Sequence, residues 1–391
     1  MLLTIKVKLN PTEEQRQKLL RLMEIFNTAC DDISNVAYES KFYNKFKLQH
    51  TLYYRIREQY GLPAQLTIRA ISKVVDSYKS AKTMLKIRNS EHKKLGEKLD
   101  TLSLVSFNPH GAIIYDERIM GFKGLEKISL ITLEGREVIP MLIGGYGKLD
   151  QRRIKGQADL IYTKNIFYLC LVIEQPEEPT LTPEGYLGVD LGIIKLATTS
   201  DNIFYSGEKV ESVRSHYSGL KAELQHVGTE SAKRHLRKLS GKEARFKRNT
   251  NHIIGKNLVA VAKDTKRGIA LEDLKGIRTR TTVRKEQRDK HSKWAFYQLQ
   301  TYIEYKSKIS GVPIVFVNPK NTSRRCPECK HTDKLNRVSQ SEFKCLSCGY
   351  AENADYVSAR NIKWKAEVNQ PIVVCPDGNL NYKPMTNVIS G

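Results

Sequence analysis

Residues 186–200 have the sequence YLGVDLGIIKLATTS, and this stretch decides how the second half of the chain is interpreted. Its apolar residues predict a short strand that ends on Asp190, then a turn that contains Gly192, then a second strand that starts at Ile193. A later segment, GIALEDL (268–274), predicts another short apolar strand, which ends on Glu272. Two acidic side chains are therefore expected at the ends of two strands.

A third acidic residue, Asp355, belongs to the segment ADYVSARNI (354–362), which predicts the start of a helix. A central sheet would bring Asp190 and Glu272 side by side, and this helix would cover them. Three convergent carboxylates suit hard divalent cations, and two such ions about 4 Å apart activate water and stabilise the leaving oxygen of a phosphodiester. The alternative, three ordinary exposed acids at the ends of strands and a helix, stays open on this pattern alone.

Four of the seven cysteines have the spacing C-x2-C-x15-C-x2-C: Cys326, Cys329, Cys345 and Cys348. This spacing predicts a four-thiolate zinc site, which is structural because sulfur fills every coordination position. Gly349 follows the last ligand and permits a tight turn. Disulfides are not expected, because no secretion signal is evident. Cys30 and Cys170 are expected in the core, and Cys375 has no predicted partner.

The chain carries a net charge of +23, from 65 Lys and Arg against 42 Asp and Glu. This surplus indicates a polyanionic partner, with nucleic acid as the default, although a basic surface without a specific partner is the alternative. No run of about 18 apolar residues predicts a membrane span, and residues 1–10 do not form the apolar block of a signal peptide. We therefore expect a cytosolic protein that associates with the nucleoid. A phosphate-binding P-loop and a GxGxxG motif are both missing from the sequence, so a nucleotide cofactor is not expected.

The first hundred residues are predicted to be a strand followed by helices. MLLTIKVKLN (1–10) alternates apolar and polar residues, and Thr12 and Gln15 then stand at the spacing of a capping box. Apolar residues recur at helical intervals after this point: Leu19, Met23, Phe26, Cys30, Ile33 and Ala37. Helical character continues to about residue 100.

From about residue 103 to 175 the pattern predicts short strands in a small antiparallel sheet or barrel, with hairpin turns at Glu134-Gly135 and Lys164-Asn165. The proline-rich segment 175–185 predicts a linker. The later predicted segments are a basic helical region (208–262), a basic loop (278–293), a helix that carries Trp294 and a third strand (311–319).

Four segments together resemble the RuvC-like nuclease of the TnpB family: GVDLG (188–192), LEDL (271–274), YKSKISGVPIVFVNPKNTSRRCPEC (305–329) and FKCLSCGYAENADYVSARNI (343–362). Members of this family are RNA-guided DNA endonucleases carried by bacterial and archaeal insertion sequences, and they are related to type V CRISPR effectors. The resemblance is strong over residues 181–362 and weaker over 1–180.

The resemblance implies a fold of α/β plus α and β type: an RNase H-like RuvC nuclease domain with an inserted four-cysteine zinc unit, preceded by a small β-barrel (wedge) domain with an inserted helical recognition lobe. The expected domains are a wedge-like barrel (1–10 and 103–180), a helical recognition lobe (11–102), the nuclease (181–319 and 353–370), the zinc-binding insertion (320–352) and a C-terminal tail (371–391).

By position, the resemblance makes Asp190, Glu272 and Asp355 the catalytic residues and the ligands of Mg²⁺ or Mn²⁺, and makes the four clustered cysteines the zinc ligands. The family commonly has aspartate at the position of Asn353 and alanine at that of Ser358. The expected partners are a guide RNA and double-stranded target DNA, without a membrane.

Weaker expectations concern contacts to nucleic acid. Arg337, between the cysteine pairs, is either a phosphate contact or a solvated arginine. A reader of a short DNA motif next to the target is expected in the helical lobe and barrel, from Tyr53, Tyr54, Gln65, Arg69 and Lys73. The alternative functions are a miniature type V CRISPR effector and an RNA-guided DNA-binding repressor that does not cleave. A transposase with paired histidines is disfavoured, because no HxH motif occurs among the nine histidines.

Overall fold

A computed structural model describes residues 1–124, 126–142, 153–239, 241–273 and 296–369 of the 391-residue chain. The chain divides into two compact units, Met1–Gln175 and Pro176–Gly391. The division falls at the start of the predicted linker, and the finer domain boundaries stay a prediction. In the ranges given above, no helix has both the length and the apolar character that a membrane crossing requires.

The first unit combines three helices with one antiparallel sheet. The helices are α1 (Glu13–Glu39), α2 (Lys45–Tyr60) and α3 (Ala64–Leu95). The strands are β1 (Leu2–Leu9), β2 (Ile113–Tyr115), β3 (Met120–Lys123), β4 (Lys127–Thr132), β5 (Gly135–Leu142), β6 (Ile154–Thr163) and β7 (Ile166–Glu174). Their order is β2-β6-β7-β1-β5-β4-β3. The two ends of this order, β2 and β3, are neighbours in sequence, so the sheet nearly closes on itself.

Helix α1 begins where the capping box was predicted. The Gln15 amide donates to the Thr12 hydroxyl at 3.2 Å, and the Thr12 amide donates to the Gln15 side chain at 3.1 Å. The apolar positions predicted along α1, including Cys30, are all buried. Asn27 is buried in the same helix and donates to the carbonyls of Pro109 and Gly111, which fixes the chain between α3 and β2.

Three details of the first unit differ from the sequence prediction. The first strand after the helices starts at Ile113 rather than near residue 103. Thr132 pairs with Gly135, so Leu133 and Glu134 form the hairpin turn, one residue earlier than predicted. Cys170 is half-buried on the face of the sheet that carries Lys6, because side chains alternate along β7 and the core side is occupied by Leu169 and Leu171. The turn at Lys164-Asn165 is confirmed, and both residues have positive φ.

The second unit is built on a five-stranded sheet. Its elements are β8 (Tyr186–Asp190), β9 (Lys195–Thr199), β10 (Phe204–Ser206), α4 (Glu208–Val227), α5 (Glu230–Leu239), α6 (Lys242–Asp264), β11 (Gly268–Glu272), α7 (Phe296–Ile309), β12 (Ile314–Val317), β13 (Glu342–Lys344), β14 (Ala351–Asn353) and α8 (Ala354–Asn369). The order in the large sheet is β10-β9-β8-β11-β12, and β11 is parallel to both β8 and β12. Strand β9 starts at Lys195, two residues later than predicted.

Helix α8 packs directly on strand β8 at Gly188. A Cβ atom added to Gly188 would lie 2.1 Å from the Ala359 carbonyl oxygen and 2.7 Å from the Lys363 amide nitrogen, both of them backbone atoms of α8. Only a glycine permits this approach, because any side chain would overlap the helix backbone. The first glycine of the GVDLG motif is therefore required for the packing of the last described helix.

Gly188→Ala should lower the stability of the second unit by roughly 1–3 kcal/mol, because the helix must move away from the strand to admit the methyl group. Gly219→Ala is the matched control. An added Cβ at Gly219 meets nothing within 4 Å, and alanine is favoured over glycine in a helix by about 1 kcal/mol. Thermal unfolding of both variants checks the prediction. Equal melting temperatures for the two variants would contradict the packing described for Gly188.

Candidate functional site

The acidic residues predicted from the sequence lie at one edge of the five-stranded sheet. Asp190 ends β8 and Glu272 ends β11. These strands are parallel neighbours in which Val189 pairs with Leu271, so the two carboxylates leave the sheet at equivalent positions. Asp355 is in the first turn of α8, which packs across β8. The negative charges of both Glu272 and Asp355 act on Asp190, so the three side chains form one acidic cluster.

Desolvation and mutual repulsion make this cluster costly to ionise. The pKa of Asp190 is raised well above its usual range, first by desolvation and then by the charges of Glu272 and Asp355. Desolvation also raises the pKa values of Glu272 and Asp355. A cation placed among the carboxylates would oppose all of these effects.

Two cationic side chains approach the cluster from different elements. The Arg337 guanidinium lies 3.8 Å from Asp355 Oδ1, and the Lys195 ammonium lies 3.9 Å from Asp355 Oδ2. Arg337 also donates to the Gln340 carbonyl at 2.9 Å. Arg337 is thus beside the carboxylates, and its predicted contact to a phosphate stays a prediction.

Sequence reasoning missed three residues around the acids: Lys195, Thr322 and Lys365. The Thr322 hydroxyl donates to Glu272, and the positive charge of Lys365 opposes the rise in the pKa of Glu272. The only available signal was that Lys195 lies in the quoted stretch, five residues after Asp190. Thr322 and Lys365 reach the site through long-range packing.

The donor set of the acidic cluster fits hard cations. Carboxylate oxygens are the ligands that Mg²⁺ and Mn²⁺ prefer. In the part of the chain that the structure describes, the four clustered cysteines are the group whose ligand atoms all lie within 4.8 Å of one another. The three carboxylates are more widely spaced, so one ion that contacts all of them would require side-chain movement.

The four cysteines form a separate cluster that fits a tetrahedral metal site. The sulfur atoms of Cys326 and Cys348 are 3.7 Å apart, and those of Cys329 and Cys345 are 3.5 Å apart. Zinc at its usual distance of about 2.3 Å from each sulfur places tetrahedral sulfurs about 3.8 Å apart. The spacing already present therefore suits the ion with little movement.

Each pair of cysteines is held in a similar tight turn. The Cys326 amide donates to the His331 carbonyl at 2.8 Å, and the Cys345 amide donates to the Tyr350 carbonyl at 2.8 Å. The residue after each pair has positive φ: 69° at Lys330 and 73° at Gly349. The turn predicted at Gly349 therefore has a counterpart at Lys330, where a lysine adopts the left-handed conformation.

The cysteine-bearing segment leads directly into the helix that carries Asp355. Asn353 accepts from the amides of Asp355, at 3.2 Å, and Tyr356, at 3.4 Å, and it donates to the Ser341 carbonyl. Asparagine and aspartate cap helices about equally well, so the departure from the family at Asn353 preserves the cap. The second departure, Ser358, is buried and satisfied, because its hydroxyl donates to the Ala354 carbonyl.

In the first unit, the residues predicted to contact DNA occupy different environments. Gln65 and Arg69 both donate to Asp116, and they line a pocket of about 510 Å³. Tyr54 is exposed, whereas Tyr53 packs against the core of the unit. The structure therefore brings Gln65 and Arg69 together at Asp116, and neither tyrosine is among the residues that line this pocket.

Lys73 differs from the other predicted DNA contacts, because its ammonium is engaged inside the first unit. It donates to the Asn27 side chain at 2.6 Å and to the Ala112 carbonyl at 2.7 Å, and desolvation lowers its pKa. Lys73 therefore makes internal polar contacts in the protein alone, and its predicted contact to DNA stays a prediction.

Residues 296–362 match the family model of the Cas12f1-like TNB domain. The CRISPR-associated endodeoxyribonuclease Cas12f1 of Syntrophomonas palmitatica is 31% identical over 232 residues, which are 54% of this chain and 46% of that protein. The putative RNA-guided DNA endonuclease InsQ of Escherichia coli K12 is 32% identical over 50% of this chain and 53% of InsQ. A TnpB-like protein of Methanocaldococcus jannaschii is 35% identical over 34% of this chain and 47% of that protein.

Among solved structures, CasPhi-2 (Cas12j) bound to crRNA superposes with a TM-score of 0.57 and 9% identity, covering 93% of this chain and 98% of that one. At this identity the likeness concerns the fold alone.

Neutralising Asp190 should change how stability depends on pH. The pKa of Asp190 in the folded protein lies above its unfolded value of about 3.9. Between these two pH values the folded protein therefore binds more protons than the unfolded protein. Stability without added Mg²⁺ or Mn²⁺ should therefore fall as pH rises from about 4 through the folded pKa of Asp190. Asp190→Asn should melt above the wild type at pH 8, and the difference should shrink towards pH 4.

Asp201→Asn is the control for this experiment, since Arg267 lowers the pKa of Asp201. Its charged form stabilises the fold, and so its loss should reduce the melting temperature at pH 8. Calorimetric scans between pH 4 and pH 8 measure both variants, with about 2–4 °C expected for each kcal/mol. Parallel melting curves for wild type and Asp190→Asn at every pH would contradict the raised pKa.

Removing a cysteine ligand should release a metal and destabilise the protein. Cys345→Ser should lose about one zinc per chain and melt well below the wild type, because structural zinc contributes directly to folding. Cys375→Ser is the control, and Cys375 lies outside the described residues. Elemental analysis and thermal unfolding measure the two effects. A folded wild-type sample without zinc would contradict the assignment.

These matches confirm the resemblance inferred from the motifs: the chain is similar to TnpB-like and Cas12f proteins, and the aligned region spans about half the length of the curated relatives it matches.

Proposed function

We propose that this protein is an RNA-guided DNA endonuclease of the type encoded by insertion sequences, which cleaves target DNA next to a short motif by metal-assisted hydrolysis of a phosphodiester. The observation that carries the proposal is the meeting of Asp190, Glu272 and Asp355 at one sheet edge in a protein with a net charge of +23. The similarity to an endodeoxyribonuclease and to a putative RNA-guided DNA endonuclease supports the same activity.

In this proposal the three carboxylates hold Mg²⁺ or Mn²⁺. When bound, the ions lower the pKa of a water molecule and neutralise charge on the scissile phosphate and the leaving oxygen. Asp190 and Glu272 supply ligands from rigid strand ends, and Asp355 supplies one from α8. Glu272 is oriented by the hydroxyl of Thr322, which occupies one of its oxygen atoms.

Arg337 and Lys195 are proposed to act on the phosphate. Both cations lie within 4 Å of Asp355 in the protein alone. A phosphate with its metal ions would compete for these side chains, and a charged hydrogen bond to a non-bridging oxygen is stronger than a neutral one. The two cations would then stabilise the additional charge that develops in the transition state.

The four-cysteine cluster is proposed to hold a structural zinc ion. Its function is to set the position from which the chain enters α8, since Asn353 connects the last strand of the cluster to the first turn of that helix. A metal that fixes this segment keeps Asp355 in register with the two strand ends.

The guide RNA and the double-stranded DNA are proposed to bind basic surfaces that contact phosphates. Helix α5 presents four exposed cations in two pairs: Lys233, Arg234, Arg237 and Lys238. Such contacts bind without sequence preference, and base pairing with the guide would supply the specificity. In the first unit, Gln65 and Arg69 beside the 510 Å³ pocket are the best placed candidates for reading the adjacent motif.

A miniature CRISPR effector is the second candidate function, and it is favoured by the similarity to a Cas12f1 protein. Both candidates share the same chemistry, and the genes that flank the coding sequence separate them: a transposon end or a CRISPR array. A repressor that binds without cleavage is disfavoured, because all three acidic residues are present.

Substituting any one acid should abolish cleavage and leave guided binding nearly unchanged. Asp190→Ala, Glu272→Ala and Asp355→Ala each remove a metal ligand, which affects the transition state far more than it affects affinity. The measurement pairs a cleavage gel with a mobility shift on one guide-matched duplex. Wild-type protein should cut with Mg²⁺ or Mn²⁺ and should not cut without the guide.

Asp201→Ala is the matched control, because it removes an acid from the same unit that is paired with Arg267 instead of the cluster. It should cut at a rate close to that of the wild type. If one of the three cluster variants also cut at the wild-type rate, that residue would not be a metal ligand. If the wild type cut equally well with a mismatched guide, the guided mechanism would be wrong.

A further inference from the structure

A cationic pocket lies in the same unit as the acidic cluster and is distinct from it. It has a volume of about 210 Å³ and is formed between the first cysteine pair and α8. Its lining includes Arg325, Lys330, Arg360, Lys363, Trp364 and Glu367. No carboxylate of the acidic cluster contributes to it.

The pocket lies on the far side of α8 from the proposed catalytic acid. Trp364 follows Asp355 by nine residues, which is two and a half helical turns at 3.6 residues per turn. The two side chains therefore project from opposite faces of the helix, about 13 Å apart along its axis. A ligand in this pocket would not occupy the nuclease site.

Arg325 is the central side chain of the pocket. Its guanidinium lies 3.5 Å from the centre of the Trp364 ring, which places the cation over the aromatic face. It has one long hydrogen bond, at 3.5 Å, to Asn361 Oδ1. Among the described residues no carboxylate pairs with it, so most of its donors remain available for a ligand.

Two of the other three cations of the pocket are paired with acids. Arg360 pairs with Glu328 at 3.0 Å, and Lys363 lies 3.9 Å from Glu367. Lys330 donates to the Pro327 carbonyl and, within the described ranges, has no acidic partner. Four cations thus face two carboxylates, and the surplus charge belongs to Arg325 and Lys330.

Buried hydrogen bonds hold the pocket in shape. Asn361 is 1% exposed and donates to the carbonyls of Thr322, at 2.8 Å, and Arg325, at 2.7 Å. The backbone at Arg325 and at Thr322, three residues before it, is therefore tied to α8 before any ligand arrives. A preorganised cation over an aromatic ring loses little conformational entropy on binding.

We propose that this pocket binds one nucleotide of an unpaired nucleic-acid strand, with the phosphate on Arg325 and Lys330 and the base stacked on the free face of the Arg325 guanidinium. Bases stack on arginine planes as well as on aromatic rings, and a planar guanidinium also binds phosphate in a bidentate manner. The inference rests on the proposed function in that nucleic acid is the expected partner. The strand is either an unpaired part of the guide RNA or a displaced strand of the DNA.

Tryptophan fluorescence can observe this pocket directly. The chain holds two tryptophans, so Trp294→Phe leaves Trp364 as the single reporter. Trp294 lies outside the described residues. The full chain, freed of RNA in high salt, is titrated with an eight-residue oligouridylate, with an oligothymidylate of the same length and with inorganic phosphate. Either oligonucleotide should produce a saturable change in the emission of Trp364, and phosphate alone should produce none at the same concentration.

Two substitutions in this background test the assigned contacts. Arg325→Gln should weaken binding of the oligonucleotide at least tenfold and should reduce the slope of log affinity against log salt by about 0.7, the value for one phosphate contact on a single strand. Lys330→Asn should weaken binding severalfold, and asparagine tolerates the positive φ of 69° at that position. Lys308→Gln removes an exposed lysine from α7 and should change neither quantity.

Melting temperature and zinc content separate binding from a structural role. If Arg325→Gln loses zinc or has a lower melting temperature than the wild type, Lys330→Asn decides the test. This second variant leaves the contact between Arg325 and Trp364 intact. Equal binding by Lys330→Asn and Lys308→Gln, or a response to phosphate as large as the response to oligonucleotide, would overturn the proposal.

The source of the strand is decided by repeating the titration on the complex with guide RNA. Loss of the oligonucleotide response would assign the pocket to the guide, and its persistence for the oligothymidylate would assign it to DNA. The assay contains no Mg²⁺ and requires no cleavage. If the oligonucleotide did not bind this pocket, the proposed nuclease activity would not be contradicted. If the wild type did not cleave DNA, the proposed binding to this pocket would not be contradicted.

Discussion

The contact between helix α8 and strand β8 at Gly188 is the constraint on which the second unit depends. At this point the helix backbone is so close that a methyl group would lie 2.1 Å from the Ala359 carbonyl oxygen. The strand ends two residues later in Asp190, and the helix begins five residues before Ala359, at Ala354, with Asp355 in its first turn. The close packing of strand and helix therefore places Asp190 and Asp355 in one cluster.

The same helix also organises the third acid. Asn361 of α8 donates to the Thr322 carbonyl at 2.8 Å, and the Thr322 hydroxyl donates to Glu272 at the end of β11. The orientation of Glu272 is thus connected to α8 by two hydrogen bonds. A buried amide costs free energy unless its donors are satisfied, so Asn361 strongly favours this one arrangement. Helix α8 therefore acts as the common support of the cluster.

The parts of this site that could be predicted from sequence are those that depend on local pattern. Asp190 and Glu272 follow short apolar runs, and strand ends are recognisable from such runs. The four cysteines are identified by spacing alone. These signals depend on local sequence alone. The acids and the cysteines could therefore be predicted without knowledge of the tertiary structure.

The remaining features depend on contacts between residues far apart in sequence. Lys195 and Arg337 are 142 positions apart, yet both approach Asp355. Lys73 was predicted to contact DNA, and its ammonium donates to the Asn27 side chain inside the first unit. Periodicity assigns a residue to a helix, whereas only packing decides whether its polar end faces water or the interior.

The cysteine cluster has too small an apolar core to be stable without a metal. The buried residues of that core are two of the cysteines with one aromatic and two small side chains: Cys326, Cys345, Phe343, Ala354 and Val357. Segments of this size bury too little surface to offset their conformational entropy, and metal binding supplies the deficit. Because Ala354 and Val357 belong to α8, a bound metal would stabilise the first turn of the helix together with the cluster. A bound zinc ion would thus set the position of Asp355 on one face of α8 and, through the residue before Cys326, the position of Arg325 on the other.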